Sequence, residues 1–190
     1  MSKEGVGQCL VLCIQNLEIY YGIDILCLCS LVDKFTLEAL ERQYDSIHSF
    51  GTSYGDHKRF LEFSIQQYQD LQEFSKGVGI AMIASAMDPV SVDVVIDTLK
   101  MPFVKVGSGD ANNPILLEKV SKQTSTTAII STGMSDMDDV HRIYKQFKKN
   151  RPQNNFVLLH CVSSYPTPLD SINLNVICRY YSKFIRILAY

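Results

Sequence analysis

The chain has 190 residues, 46% of them hydrophobic and 20% charged, with a formal net charge of −2. That balance fits one globular domain or part of a larger one, and it lacks the basic surplus that a nucleic-acid partner requires. No run reaches the ~18 uninterrupted apolar residues of a membrane span, so neither nucleic acid nor a membrane is an expected partner.

Residues 1–34 stand apart. The stretch GQCLVLCIQNLEIYYGIDILCLCSLV is apolar and rich in cysteine, with Glu18 and Asp24 interrupting it. Three readings fit it: a signal-like or membrane-surface segment, buried strand and helix, or a stretch foreign to the fold that follows. It is left unplaced. The cysteines Cys9, Cys13, Cys27, Cys29, Cys161 and Cys178 match no zinc spacing. No basic start with a cleavage site precedes them. Reduced thiols in a cytoplasmic protein are the expectation.

From Phe35 the pattern becomes regular. LEALERQYDSIHSFGTSYGDHKRFLEF predicts a short helix and then a long polar loop through Gly51 and Gly55. SIQQYQDLQEFSKG follows as a helix, with Tyr68, Leu71 and Phe74 at helical spacing and a stop at Gly77. Four strands come next, over 79–84, 102–106, 127–131 and 156–161. Between them PVSVDVVIDTLK, NPILLEKVSKQ and MDDVHRIYKQFKKN each carry an apolar helical face. Strand centres fall about 25 residues apart, the period of a βα unit. Strands apolar throughout predict burial on both faces and a parallel sheet. An open doubly wound sheet and a (β/α)8 barrel both fit. A complete barrel needs about 250 residues, so on that architecture this chain carries part of one.

In such folds ligands lie beyond the carboxyl ends of the strands. Ser85 follows the first strand. Lys105, Ser108 and Asp110 end the second, in KVGSGDANN; Ser131 and Gly133 end the third; Ser163, Ser164 and Tyr165 follow the fourth. Hydroxyls recur at four strand ends, and a lysine accompanies them. The chemistry is that of a phosphate or carboxylate site. Gly107 and Gly109 let backbone N–H groups approach an oxyanion, the helix opening near Asn112 and Asn113 offers its positive end, and Lys105 supplies a point charge. His160 reads as a satisfied core histidine, since its neighbour Cys161 points to the opposite face. Asp136, Asp138 and Asp139 read as complements to a helix dipole rather than metal ligands.

The ordered motifs YGDHKRFLEFS, KVGSGDANN, IISTGM and LLHCVSSYPTP resemble the sialic acid synthase family, in particular the animal-type N-acetylneuraminate-9-phosphate synthases. The resemblance spans about Leu37 to about Tyr181. It implies a parallel sheet with outer helices that forms part of a (β/α)8 TIM barrel, covering about strands three to six. It also implies condensation of phosphoenolpyruvate with N-acetylmannosamine 6-phosphate. Lys105, Ser108 and Ser131 then match phosphoenolpyruvate-binding positions, with Ser163 and Ser85 as further contacts. Tyr165 would face the sugar, and Asp110 would supply an acidic catalytic position beside it. The family's cofactor is a divalent metal, manganese or magnesium, and its expected state is a homodimer.

Several family features are not matched. The Glu-Ile-Gly-x-Asn-His and Lys-Phe-Gln runs of the first strands, the Gly-Tyr-Ser-Gly-His pattern with its metal-binding histidines, and the C-terminal antifreeze-like domain have no counterpart. The domain expectation is therefore an unplaced segment over 1–34 and a partial barrel over 35–190, with no metal ligands and little turnover by this chain alone. A non-catalytic variant keeping half of the phosphoenolpyruvate site, and a different phosphosugar-binding barrel enzyme, are the alternatives.

Overall fold

The computed structural model describes residues 25–29, 35–47, 49–151, 155–164, 166–183 and 187–189. Of the unplaced N-terminal segment only β1 (Ile25–Cys29) falls within them. Tyr165 and His48 lie outside. The chain divides into two compact units, Met1–Ala84 and Ser85–Tyr190.

In the first unit, α1 (Leu37–Glu41) starts at Thr36, whose hydroxyl accepts from Ala39 N–H at 3.2 Å. The long polar loop expected next is interrupted by a helix, α2 (Tyr54–Leu61). Ser53 Oγ accepts from Asp56 N–H at 3.1 Å, and Asp56 Oδ2 accepts from Ser53 N–H at 3.2 Å. This reciprocal cap satisfies two donors at the helix start and outweighs the turn-like look of SYGD. Gly55 is needed there for contact, because a Cβ would come within 2.9 Å of the Leu40 carbonyl oxygen on α1. His57, expected on the loop, is therefore a helical residue. It is buried, with Nδ1 accepting from Phe50 N–H at 3.2 Å. In α3 (Ile65–Gly77) a second capping box joins Ser64 and Gln67. Tyr68 and Leu71 are buried as expected, whereas Phe74 is exposed and Ser75 takes the buried position. β2 (Ala81–Ser85) begins two residues later than the sequence suggests.

The second unit is an α/β layer. Helix α4 (Pro89–Asp93) is capped by Asp88 and widens into a π turn, Val94–Thr98. Strands β3 (Phe103–Val106), β4 (Thr127–Ser131), β5 (Phe156–His160) and β6 (Ile187–Ala189) pair in sequence order, each parallel to the next. Between them run α5 (Pro114–Lys122), α6 (Met137–Asn150) and α7 (Asn175–Lys183). The parallel order and the strand positions agree with the βα period.

Burial within these strands differs from the expectation of two equally buried faces. Val104, Val106, Ala128, Ile130, Phe156 and Leu158 share one face and are buried. So are the apolar stripes Leu116, Leu117 and Val120 of α5 and Val140, Ile143 and Phe147 of α6. Phe147 meets Phe156 with ring centroids 5.4 Å apart. Phe103, Lys105, Ile129, Val157 and Leu159 point the other way and are half-buried. Apolar side chains on this second face hid the asymmetry from the pattern.

The sheet is anchored at its amino end by Arg151, which the sequence presents as the end of an ordinary basic helix terminus. Its side chain is fully buried. The guanidinium donates to five carbonyls: Val120, Ser121 and Gln123 at the end of α5, Thr126 before β4 and Asn155 before β5. Among the described residues no carboxylate pairs with it. Burial pulls its pKa down to about 10, so at neutral pH it is still a cation held by backbone dipoles.

Replacing Arg151 with methionine removes all five of these hydrogen bonds, although the Val120, Thr126 and Asn155 carbonyls keep a second donor. A loss of about 3–5 kcal/mol in urea unfolding is expected, by analogy with breaking a buried charged interaction. Arg151→Lys, with three donors on a point charge, should fall between the two.

Candidate functional site

The site is built from the turns at the carboxyl ends of β3, β4 and β5. β3 delivers Lys105 and then a 3-10 turn, Ser108–Asp110. Lys105 is paired in register with Ile129, so Ser131, two residues further along β4, lies on the same half-buried face. Ser131 is buried. Lys105 is half-buried, and among the described residues no carboxylate pairs with its ammonium. Ala86 N–H donates to the Lys105 carbonyl at 2.9 Å, which sets the chain leaving Ser85 beside β3 at this lysine. Ser85 itself is 2% exposed.

Three turns meet at Gly133. Its N–H donates to Ser108 Oγ at 3.1 Å, and its carbonyl accepts from Ser163 Oγ at 2.6 Å. A Cβ at residue 133 would lie 3.0 Å from Ser108 Oγ and 3.1 Å from Cys161 Cβ, so glycine is what lets the turns close on one another. Each serine has one proton. Ser108 accepts from Gly133 and keeps its own proton for another partner. Ser163 has spent its proton on Gly133.

Expected residues are thus unequally placed. Ser108 and Ser163 converge on Gly133, and Lys105 and Ser131 share the sheet face that leads to it. Asp110 sits half-buried in the 3-10 turn and has interactions of its own. Tyr165 lies outside the described residues. One expectation fails: the start of α5 is not an open anion site. Asn113 Oδ1 accepts from the N–H groups of both Ile115 and Leu116, each at 3.2 Å, which fills the positions an oxyanion would take.

His160 is satisfied, as anticipated: Nε2 lies 2.8 Å from the Ile172 carbonyl oxygen, and the ring meets Tyr180 edge-on at 6.2 Å. Asp136 caps α6 through the N–H groups of Asp138 and Asp139. Asp139 is held below the usual carboxylate range by its hydrogen bond from Arg142. No local pattern points to Thr132 and Tyr180. Thr132 Oγ1 donates to the Leu159 carbonyl at 2.8 Å and meets the Tyr180 hydroxyl at 2.9 Å, fastening α7 to the turn after β4.

Likenesses to solved structures define the fold class. An N-acetylneuraminic acid synthetase from Leptospira borgpetersenii serovar Hardjo-bovis matches 95% of this chain and 57% of its own, at TM-score 0.72 and 21% identity. A phospho-2-dehydro-3-deoxyheptonate aldolase from Thermotoga maritima matches 95% of this chain and 45% of its own, at TM-score 0.61 and 11% identity. The chain therefore shares with these structures an α/β fold built on a parallel sheet.

Sequence matches narrow the class. The NeuB family model matches residues 30–190, and the chain belongs to the NeuB family. It is 46% identical over 151 residues to the N-acetylneuraminate-9-phosphate synthase of Homo sapiens, covering 80% of this chain and 41% of that protein. The Drosophila melanogaster protein of the same name is 42% identical over 151 residues, covering 80% of this chain and 40% of its own. The chain thus spans about two fifths of the length of these relatives.

Burial holds the Tyr180 phenol above its usual pKa of 10. The folded state therefore keeps its proton where the unfolded state has lost it, and this contribution to stability fades as pH rises through the folded pKa. Tyr180→Phe should cost about 0.5–1.5 kcal/mol at neutral pH through the lost Thr132 contact. Its stability should also fall less steeply than the wild type's above pH ~10, as read from urea midpoints across that range.

Proposed function

We propose that the turns around Gly133 hold phosphoenolpyruvate. In this reading the chain is the corresponding part of a synthase that condenses phosphoenolpyruvate with N-acetylmannosamine 6-phosphate in sialic acid biosynthesis. The observation that carries the reading is the convergence of three strand-end turns on one glycine, with a lysine at the end of β3 that no carboxylate among the described residues pairs. The 42–46% identity to animal N-acetylneuraminate-9-phosphate synthases supports the choice of substrate. Residues 35–190 then form part of a (β/α)8 barrel, whose interior the half-buried sheet face would line.

Each residue has a task set by its chemistry. Lys105 provides the charge that a phosphate or carboxylate needs. Ser108 donates its uncommitted proton. Ser131 and Ser85, buried at the ends of β4 and β2, supply further hydroxyls. Ser163 would reach the ligand by releasing Gly133, and otherwise fixes the turn. Asp110, with Tyr165, would face the sugar. In the reaction the enol carbon attacks the sugar aldehyde carbon, water adds at the carbon bearing the phosphate oxygen, and phosphate departs.

The resemblance also implies a divalent metal that polarises the aldehyde when bound. Among the described residues no three His, Cys, Asp or Glu side chains come together, and His57 and His160 are committed to backbone partners. The described residues do not fit the metal, and no step is assigned to one. Cytoplasmic action accords with the free thiols of Cys161 and Cys178. No described helix is long and apolar enough to cross a membrane.

Titration calorimetry with phosphoenolpyruvate tests the reading. The chain should bind it, and Lys105→Ala should weaken binding by about 1.5–3 kcal/mol, the worth of a charge-assisted hydrogen bond. Equal affinity in the two proteins would remove Lys105 from the site.

A further inference from the structure

We propose that Asn112 is a positioning residue for the anion site, holding the turn at Gly133 and hence the direction of the Ser108 proton. This rests on the anion-site reading above. Asn112 Nδ2 donates to the Met134 carbonyl at 3.2 Å, and Asn112 Oδ1 accepts from Arg142 Nη2 at 3.1 Å. A guanidinium can only donate, so Arg142 fixes which end of the amide faces it and leaves the NH2 group facing Met134. Arg142 is itself held by Asp139 Oδ1 at 2.8 Å. The series runs from α6 across to the turn after β3 and then to the turn after β4.

The residue it grips is the neighbour of Gly133. Glycine explores more backbone conformations than other residues, so a turn pivoting on Gly133 needs outside restraint. Ser108 and Ser163 hold the two sides of Gly133 itself. Asn112 holds the next carbonyl, so that the N–H of Gly133 stays aimed at Ser108 Oγ. With that acceptor lobe filled, the Ser108 proton is left to point at a ligand. Asn112 and Arg142 are exposed, and exposed ion pairs add little to global stability. Their effect should therefore appear in the geometry of the turn rather than in the melting temperature.

Two readouts on the full chain test this: hydrogen exchange of the Gly133 amide by NMR, and phosphoenolpyruvate affinity by calorimetry. In Asn112→Ala, Gly133 exchange should rise about tenfold and affinity should fall about three- to tenfold, within the usual range of coupling between contacting groups. The melting temperature should hold within about 2 °C, since surface changes of this kind are usually small. In a Ser108→Ala background, Asn112→Ala should cost no further affinity, because its route to the ligand is gone. Unchanged Gly133 exchange in Asn112→Ala would overturn the proposal. So would an equal loss of affinity in both backgrounds. A wild-type chain that binds no phosphoenolpyruvate would overturn the anion-site reading instead, and Gly133 exchange would still decide the role of Asn112.

Discussion

A buried arginine that no carboxylate among the described residues accompanies governs this fold. Removing a guanidinium from water is costly unless its donors are filled, and Arg151 fills them with backbone carbonyls from the end of α5 and the approaches to β4 and β5. The Asn155, Val120 and Thr126 carbonyls also accept from Ala128 N–H, Gln123 N–H and Asn155 Nδ2 respectively, and the guanidinium fills the remaining acceptor capacity of a helix end and two strand starts. One side chain thereby sets where α5 stops and where two neighbouring strands begin. Because β4 has five residues, the carboxyl ends lie roughly 15 Å away at about 3.3 Å per residue. Their relative heights are inherited from that anchor.

The opposite edge is built differently. Among the described residues a glycine rather than a buried charge organises it, by allowing two hydroxyls to reach both sides of its backbone. Such an arrangement closes the turns on one another yet leaves a proton on Ser108 uncommitted. Rigid strands with adaptable turns at one end are how parallel α/β folds separate stability from ligand chemistry. The two ends of this sheet show the same separation. Arg151 turns all of its donors inward, while no carboxylate among the described residues pairs with Lys105.

Much of the sheet was legible because parallel strands in βα units recur at a fixed period and are rich in apolar residues. GIAMIA, PFVKV, TAIIS and FVLLHC each mark a strand to within two residues. Hydroxyls at successive strand ends were legible as a group for the same reason. Other features depended on partners that no local pattern shows. Helix α2 hides behind Gly51 and Gly55, and only the Ser53–Asp56 pair betrays it. Phe74 looks like core by spacing, yet Ser75 is the residue that turns inward. Arg151 follows two lysines and an asparagine and reads as solvated surface. Asn113 looks by sequence like an open helix end, but its side chain occupies that end. Tyr180 meets Thr132 across 48 positions of sequence, a separation at which pattern carries no information.

Whether the Gly133 turns form an anion site is decided by a structure of the chain bound to phosphoenolpyruvate. An anionic group of the ligand should lie within hydrogen-bond distance of both Lys105 Nζ and Ser108 Oγ, with the Gly133 N–H still donating to Ser108. A ligand bound elsewhere, or bound at these turns with Lys105 facing away from it, would contradict the account.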